Sequence, residues 1–375
     1  MSRDHVWEAL FLAVWGLRVW LCLQPPTESS DLYRNLGYSQ QVFTSGTEIY
    51  TTQASQFAPQ LWATFWTRTG YMYPPFTLTF FATFAGLGLG LFWVKIALTA
   101  CDLVSAMLVA REFGRHAGFL VFAAPITLWN TSHEGQFEAL LASLMIGSVV
   151  LCRQGRWRLS GVLWALAIQT KQFGVLLAPF FVARFLEESS EAGSRERLRN
   201  QGRFLSGLAI GTLPFMPFYL KSMAMWFGVL QNQGALFNPY HWDLWTGSRA
   251  GWLPRGLMWW NGMFSYLVLF VAFAFVARRF AEPIQALRGT PLVAFIALVK
   301  TLNWGQFWYL IALPGFVVPL GRRGRWVVTL LLLYALLDGN SVRLLVGYGN
   351  FGVREWQGVI DRFAACRYTC DYSAS

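Results

Sequence analysis

Apolar and polar positions along this chain alternate in long blocks, not in single steps. Apolar runs that approach the roughly 20 residues a membrane-crossing helix needs recur from 6–23 onward, divided by short polar clusters. The two-residue alternation of a membrane barrel strand is absent, so the pattern predicts an all-α fold. The first run stops at Pro25 and Pro26, which cannot continue a helix. A polar loop over 24–73 follows. Within it, 31–45 reads as a helix lying at the membrane surface, with Leu32, Leu36 and Phe43 on one side and Asp31, Arg34 and Tyr38 on another. Ser29 and Ser30 cap that helix, and Asp31 falls near its positive end. Phe57, Trp62, Phe65 and Trp66 suit the headgroup level, and the loop closes on Tyr71, Met72, Tyr73, Pro74 and Pro75.

The segment 74–90 is then either a full span or a re-entrant piece. Lys95 and Asp102, seven apart, share roughly one helix face, and membrane-depth charges seek each other; an interior ion pair is expected, with substrate contact as the alternative. A short polar turn, Trp129-Asn130-Thr131-Ser132-His133-Glu134-Gly135-Gln136-Phe137-Glu138, separates two apolar runs. A turn that only reversed the chain needs no more than Gly, Ser and Asn, whereas this one can hydrogen-bond a hydroxylated ligand. Asn130-Thr131-Ser132 is also a glycosylation sequon. The stretch 159–186 is interrupted by Gln169, Thr170, Lys171 and Gln172, placed either at mid-depth or at a tight turn near the outer face. Further on come a proline-containing span over 204–221, a polar aromatic stretch with Asn238, Tyr240, His241, Trp242, Asp243 and Trp245, apolar runs at 263–276 and 326–337, and the segment 299–314 with Lys300, Asn303, Gln306, Trp308 and Tyr309. Residues 1–338 form one transmembrane domain and 339–375 a polar tail.

Composition sets the class. Hydrophobic residues are 55% of the 375 and mean hydropathy is +0.39, more apolar surface than a globular core would hide. The chain is an integral membrane protein, and 6–23, which holds Arg18 and precedes no small-residue cleavage site, is an anchor. The net charge of +11 comes largely from basic clusters between apolar runs (Arg153, Arg156, Arg158; Arg278, Arg279; Arg322, Arg323, Arg325). That pattern sets membrane orientation and gives no reason for a nucleic-acid partner. It puts these clusters and 187–203 in the cytoplasm, and the loop after the first span, the His133 turn, 221–261 and the Lys300 turn on the other side. Arg111 and Arg115 also read as cytoplasmic, which demands an odd number of crossings after Tyr73. Of five cysteines, Cys22, Cys101 and Cys152 lie in or beside apolar runs and behave as small hydrophobes. Cys366 and Cys370 can pair if the tail faces an oxidising compartment. No Cys/His spacing fits a metal.

Charges are 13% of the residues, so those near the membrane stand out. Asp31 is either part of a helix cap or a base at the water boundary. Lys171 would cost about 3 kcal/mol facing lipid, so it needs an anionic partner, a protein carboxylate or a bound phosphate. The tryptophans near 242–260 mark an interface or a stacking floor for sugars.

The order of these features resembles the GT-C superfamily of polytopic glycosyltransferases: an acid after the first span, Tyr73-Pro74-Pro75 at the second, Gly135-Gln136-Phe137-Glu138 in a middle turn, Lys171 near a proline-bearing helix, and a late Gln306-Phe307-Trp308-Tyr309-Leu310 leading to Leu313-Pro314. The likeness is greatest to polyprenol-phosphate-mannose-dependent mannosyltransferases, including the catalytic subunit of GPI mannosyltransferase I. Residues 95–103 are similar to that family's lysine and Asp-Leu pair, 135–138 to its Gly-Asn-x-Glu turn, and 167–179 to its lysine-bearing helix. The resemblance covers about 1–320, through motifs weak singly and joined by order. Family members usually carry two acids close together in the first outer loop; here Tyr33 takes the second position and Glu28 is the near neighbour.

The resemblance implies about 10–12 transmembrane helices in a bacterial inner membrane or endoplasmic reticulum, with amphipathic helices in the first outer loop. It also implies inverting transfer of a sugar, mannose being expected, from a polyprenyl-phosphate donor to a lipid or glycan acceptor on the non-cytoplasmic face. Asp31 would be the base, and Lys171 with His133, Arg34 and Lys300 would hold the phosphate. Glu134, Gln136, Glu138, Tyr73, His241, Trp242, Asp243, Gln306 and Trp308 would meet acceptor and sugar. No cofactor or metal is implied; the partners are the two substrates, membrane lipids and a small accessory membrane subunit. A non-catalytic subunit of the same fold is the alternative, as is a transporter or flippase for lipid-linked sugars, which would show repeated halves.

Overall fold

The structure, a computed structural model, describes residues 3–26, 29–50, 71, 73–178, 181–182, 184–185 and 194–221; the side chains of Asp31 and Arg34 lie outside that description. Among the described residues every regular element is helical. Helix α1 (Arg3–Leu23) has 21 residues, about 32 Å at the usual rise, enough to cross a hydrocarbon core of roughly 30 Å. It halts before the two prolines, and α2 (Ser29–Ser45) runs into a 3-10 turn, Gly46–Tyr50. Helix α3 (Pro75–Gly86) starts on Pro75, whose missing N–H suits a first helical position. Helix α4 (Leu91–Phe113) is the second element long and apolar enough to cross. Helix α5 (Arg115–Phe122) then leads through a single turn at Pro125–Thr127 into a π-helical turn, Leu128–His133. Helices α6 (Glu138–Arg153) and α7 (Trp157–Thr170) follow, then a 3-10 turn, Gln172–Leu177. The last described elements are α8 (Ser194–Thr212), a 3-10 turn at Leu213–Phe215 and α9 (Met216–Lys221).

These helices form an up-and-down bundle. Trp7 of α1 meets His116, just beyond α4, edge-on at 4.2 Å, while Lys95 near the start of α4 reaches the carbonyl of Gln24 at 2.7 Å, so α1 and α4 are antiparallel. Helix α6 is apolar on all sides and buried along nearly its whole length, which makes it the central rod. Helices α7 and α8 run parallel at very close range: a Cβ on Gly161 would sit 2.2 Å from the carbonyl oxygen of Phe204, and one on Gly207 would sit 2.0 Å from that of Arg158.

Helix α3 bears on the question left open at 74–90 through its length. Its 12 residues extend about 18 Å, well short of a crossing, and it lies beside α2 with Ser39 Oγ bonded to the Leu78 carbonyl and Phe43 against Gly86. Between Tyr73 and Arg111, α4 is the helix among the described residues that is long and apolar enough to cross. The expected mid-depth or tight-turn position of Lys171 also resolves. Helix α7 stops at Thr170, Lys171 is extended (φ −157°, ψ 139°), and the chain turns back along α7, with Trp164 Nε1 donating to the Gly174 carbonyl and Phe181 and Phe185 lying on Trp164 and Trp157.

Two expectations are corrected. The buried side of α2 is Leu32, Asn35, Tyr38 and Ser39, while Phe43 is 65% exposed; packing against α3 and Tyr71 selects a different face from the one apolar spacing marks. And Asp102 does not pair with Lys95. Two turns along a helix separate the groups by about 10 Å, and each finds a nearer partner on α1.

Candidate functional site

Several chain segments converge at the bundle end where α1 stops. The π-helical turn is held there by Arg18, fully buried in α1. Its guanidinium donates to Asp102 Oδ2 at 2.9 Å, Ser132 Oγ at 2.9 Å, Thr127 Oγ1 at 2.7 Å and, through Nε and the second terminal nitrogen, the Phe122 carbonyl at 3.0 and 2.6 Å. All five of its N–H donors are used. Thr99 Oγ1 closes the network on Ser132 at 3.0 Å.

Beyond that anchor the turn displays its polar residues inward. His133 is stacked under Trp129 with ring centroids 4.1 Å apart and planes 8° from parallel. Its Nδ1 lies 2.8 Å from Glu134 Oε1, a contact in which an ionised carboxylate accepts and Nδ1 donates. Gly135 has φ +71°, a conformation natural to glycine, and a Cβ there would lie 2.7 Å from Leu32 of α2 and 3.3 Å from Lys95 Cγ. Gln136 is buried and bonds through its backbone N–H to the Asn130 carbonyl at 2.9 Å. Glu138 opens α6 and accepts from Lys171 Nζ at 2.5 Å, with 3% and 2% of the two side chains exposed. The Lys171 ammonium also stands over the rings of Phe137 at 5.1 Å and Tyr73 at 5.4 Å. Thr77 of α3 ties down the same corner by bonding the Thr170 carbonyl at 2.6 Å, and Tyr219 of α9 bonds Gln169.

The sequence model of glycosyltransferase family 87 matches residues 71–299, more than half of the chain. The chain belongs to glycosyltransferase family 87. Apo ArnT from Cupriavidus metallidurans, a solved structure, is similar at 18% identity and a TM-score of 0.45, over 85% of this chain and 58% of ArnT. This chain thus spans less than two thirds of that structure's length. No curated protein matches it.

Of the site residues expected in this family 87 chain, the structure brings together Tyr73, His133, Glu134, Gln136, Glu138 and Lys171. Backbone geometry puts Asp31 in the first turn of α2, next to Leu32, which packs on the Gly135 turn. The Asp31 and Arg34 side chains, Lys300, His241, Trp242, Asp243, Gln306 and Trp308 lie outside the described residues, as do Cys366, Cys370 and the tail. Three features escaped sequence reasoning: the hub role of Arg18, the Trp129 lid on His133, and the Phe137 ring under Lys171. For Arg18 a signal existed, since a charge within an apolar span seeks polar partners.

Proposed function

We propose that this family 87 glycosyltransferase moves a sugar, with mannose the expected one, from a polyprenyl-phosphate donor to a lipid or glycan acceptor, on the non-cytoplasmic face where α1 ends. One observation carries the reading. The Gly135 turn packs on Leu32 of α2, the chain neighbour of Asp31, and three residues further on Glu138 holds Lys171, which supports a reading in which Asp31 and Lys171 serve one site.

The chemistry needed is modest, because the donor is already activated. Asp31 takes the acceptor hydroxyl proton, the acceptor oxygen forms a bond to the anomeric carbon, and the bond from that carbon to the phosphate oxygen breaks with its electron pair leaving on phosphate. The configuration inverts. Lys171, His133, Arg34 and Lys300 steady the departing phosphate, and Glu134, Gln136, Glu138, Tyr73, His241, Trp242, Asp243, Gln306 and Trp308 meet sugar and acceptor.

Purified full-length chain in lipid nanodiscs, given radiolabelled polyprenyl-phosphate mannose and a membrane acceptor extract, tests this. The expected result is transfer by the wild type and none by Asp31→Asn at unchanged melting temperature. Undiminished turnover in that variant ends the proposal, and absence of transfer from any polyprenyl-phosphate sugar by the wild type favours the non-catalytic subunit.

A further inference from the structure

Among the described residues, three lysine or arginine side chains are buried: Arg18, Lys95 and Lys171. Two hold a carboxylate in direct contact, Arg18 with Asp102 at 2.9 Å and Lys171 with Glu138 at 2.5 Å. Lys95 differs. Only 1% exposed, it donates from Nζ to the main-chain carbonyl of Gln24 at 2.7 Å and, at a long 3.5 Å, to that of Leu21. Those carbonyls belong to the negative end of α1, which orients the ammonium without neutralising it. Glu134 acts on Lys95 electrostatically, but its Oε1 is engaged by His133, and Lys95 forms no ion pair with a carboxylate of the described residues. A buried charge that lacks a contacting counter-ion is costly, and an ionisable group at membrane depth marks a functional site. Its place is specific as well, since Lys95 Cγ lies against Gly135, the residue that joins α2 to the turn leading to Glu138 and Lys171.

We infer that Lys95 Nζ binds the phosphate of the lipid-linked donor, as a second cation beside the Gly135 turn. The ammonium keeps its bond to Gln24 and turns a remaining N–H to a phosphate oxygen. The identity of that lipid phosphate rests on the sugar-transfer reading above; the charge accounting does not. The shared chemistry is a phosphate at the head of a lipid, and the two sources are a prenyl monophosphate and a bulk phospholipid.

The test is binding of farnesyl phosphate to the purified full-length chain in neutral detergent, with farnesol and phosphatidylglycerol as the comparison arms. Lys95→Gln keeps an N–H for Gln24 and removes the charge. It is expected to weaken farnesyl phosphate by about tenfold to a hundredfold, the range of one charge-assisted hydrogen bond, to leave farnesol unchanged, and to be restored within a few fold in Lys95→Arg. Equal loss for farnesyl phosphate and farnesol means a structural residue and overturns the inference, as does no loss. Phosphatidylglycerol competing as well as farnesyl phosphate overturns the assignment to the donor. If Lys95→Gln does not purify, Lys95→His replaces it: relative to wild type, farnesyl phosphate but not farnesol should bind more tightly at low pH, and pH-independence counts against the inference. Because binding requires no turnover, Lys95-dependent binding without transfer sinks the catalytic reading alone, and transfer with Lys95-independent binding sinks this one alone.

Discussion

Lys171 Nζ donates to Glu138 Oε1 at 2.5 Å, joining the break after α7 to the first turn of α6 where both side chains are almost wholly buried. Breaking such a pair leaves one buried charge uncompensated, which costs about 3 kcal/mol. Lys171→Met and Glu138→Met should therefore each lower the melting temperature in detergent clearly. The double variant should recover most of that loss, because two apolar groups of similar size replace the pair. If the double variant is as unstable as the sum of the singles, the contact is not what holds this corner. Transfer activity should stay absent in the double variant, which separates the stability of the corner from its chemistry.

Arg18 supplies a second, independent prediction. Its five N–H groups satisfy α4, the end of α5, the single turn at Pro125–Thr127 and the π-helical turn together, so the cost of removal falls on four segments. Arg18→Leu is expected to destabilise by about 3 kcal/mol or more. Arg18→Lys should rescue little, since an ammonium cannot reproduce the planar fork. Asp102→Asn keeps an acceptor for the guanidinium and is expected to cost less, about 1–3 kcal/mol. Thermal unfolding followed by tryptophan fluorescence ranks the three.

Much of this bundle was legible because hydrophobic blocks record helix position directly. The stops at Pro25, at the polar turn before Glu138 and at Lys171 fall where chain chemistry placed them. The π turn and the hairpin at Lys171 were visible only as polar interruptions, since periodicity reports a break but not its geometry. Partner choice was less legible. Lys95 and Asp102 share a helix face, yet contacts across helices reach shorter distances than two turns along one, so Asp102 went to Arg18 and Lys95 to the end of α1. The face of α2 was misjudged for a related reason, since Tyr38 and Ser39 are selected by Tyr71 and Leu78, which sequence spacing does not reveal.

Asn130-Thr131-Ser132 fits a glycosylation sequon, but Asn130 is 1% exposed, Thr131 and Ser132 are wholly buried, and Ser132 Oγ is bonded to Arg18 and Thr99. No transferase can reach that asparagine in the folded chain. Expressed in a glycosylating host, the chain should show no mass change at Asn130 on glycosidase treatment, checked by peptide mass spectrometry. A glycan there would contradict the buried π-helical turn on which the site geometry depends.

Gly135 is the most direct probe of that geometry, because it combines two separable demands. Its φ of +71° costs a residue with a Cβ about 1–2 kcal/mol. The Cβ itself would come within 2.7 Å of Leu32 Cδ2, a flexible side-chain end that can shift by moving α2 or its own rotamer. Gly135→Ala should therefore lower stability by about 1–2 kcal/mol and reduce transfer by far more than that loss explains, because the push on Leu32 displaces the first turn of α2 where Asp31 lies. Adding Leu32→Ala relieves the steric demand but not the backbone one. The double variant is expected to stay destabilised by denaturant titration while recovering part of the transfer rate. Recovery of stability without transfer would place the cost in packing alone and disconnect the Gly135 turn from the chemistry at α2.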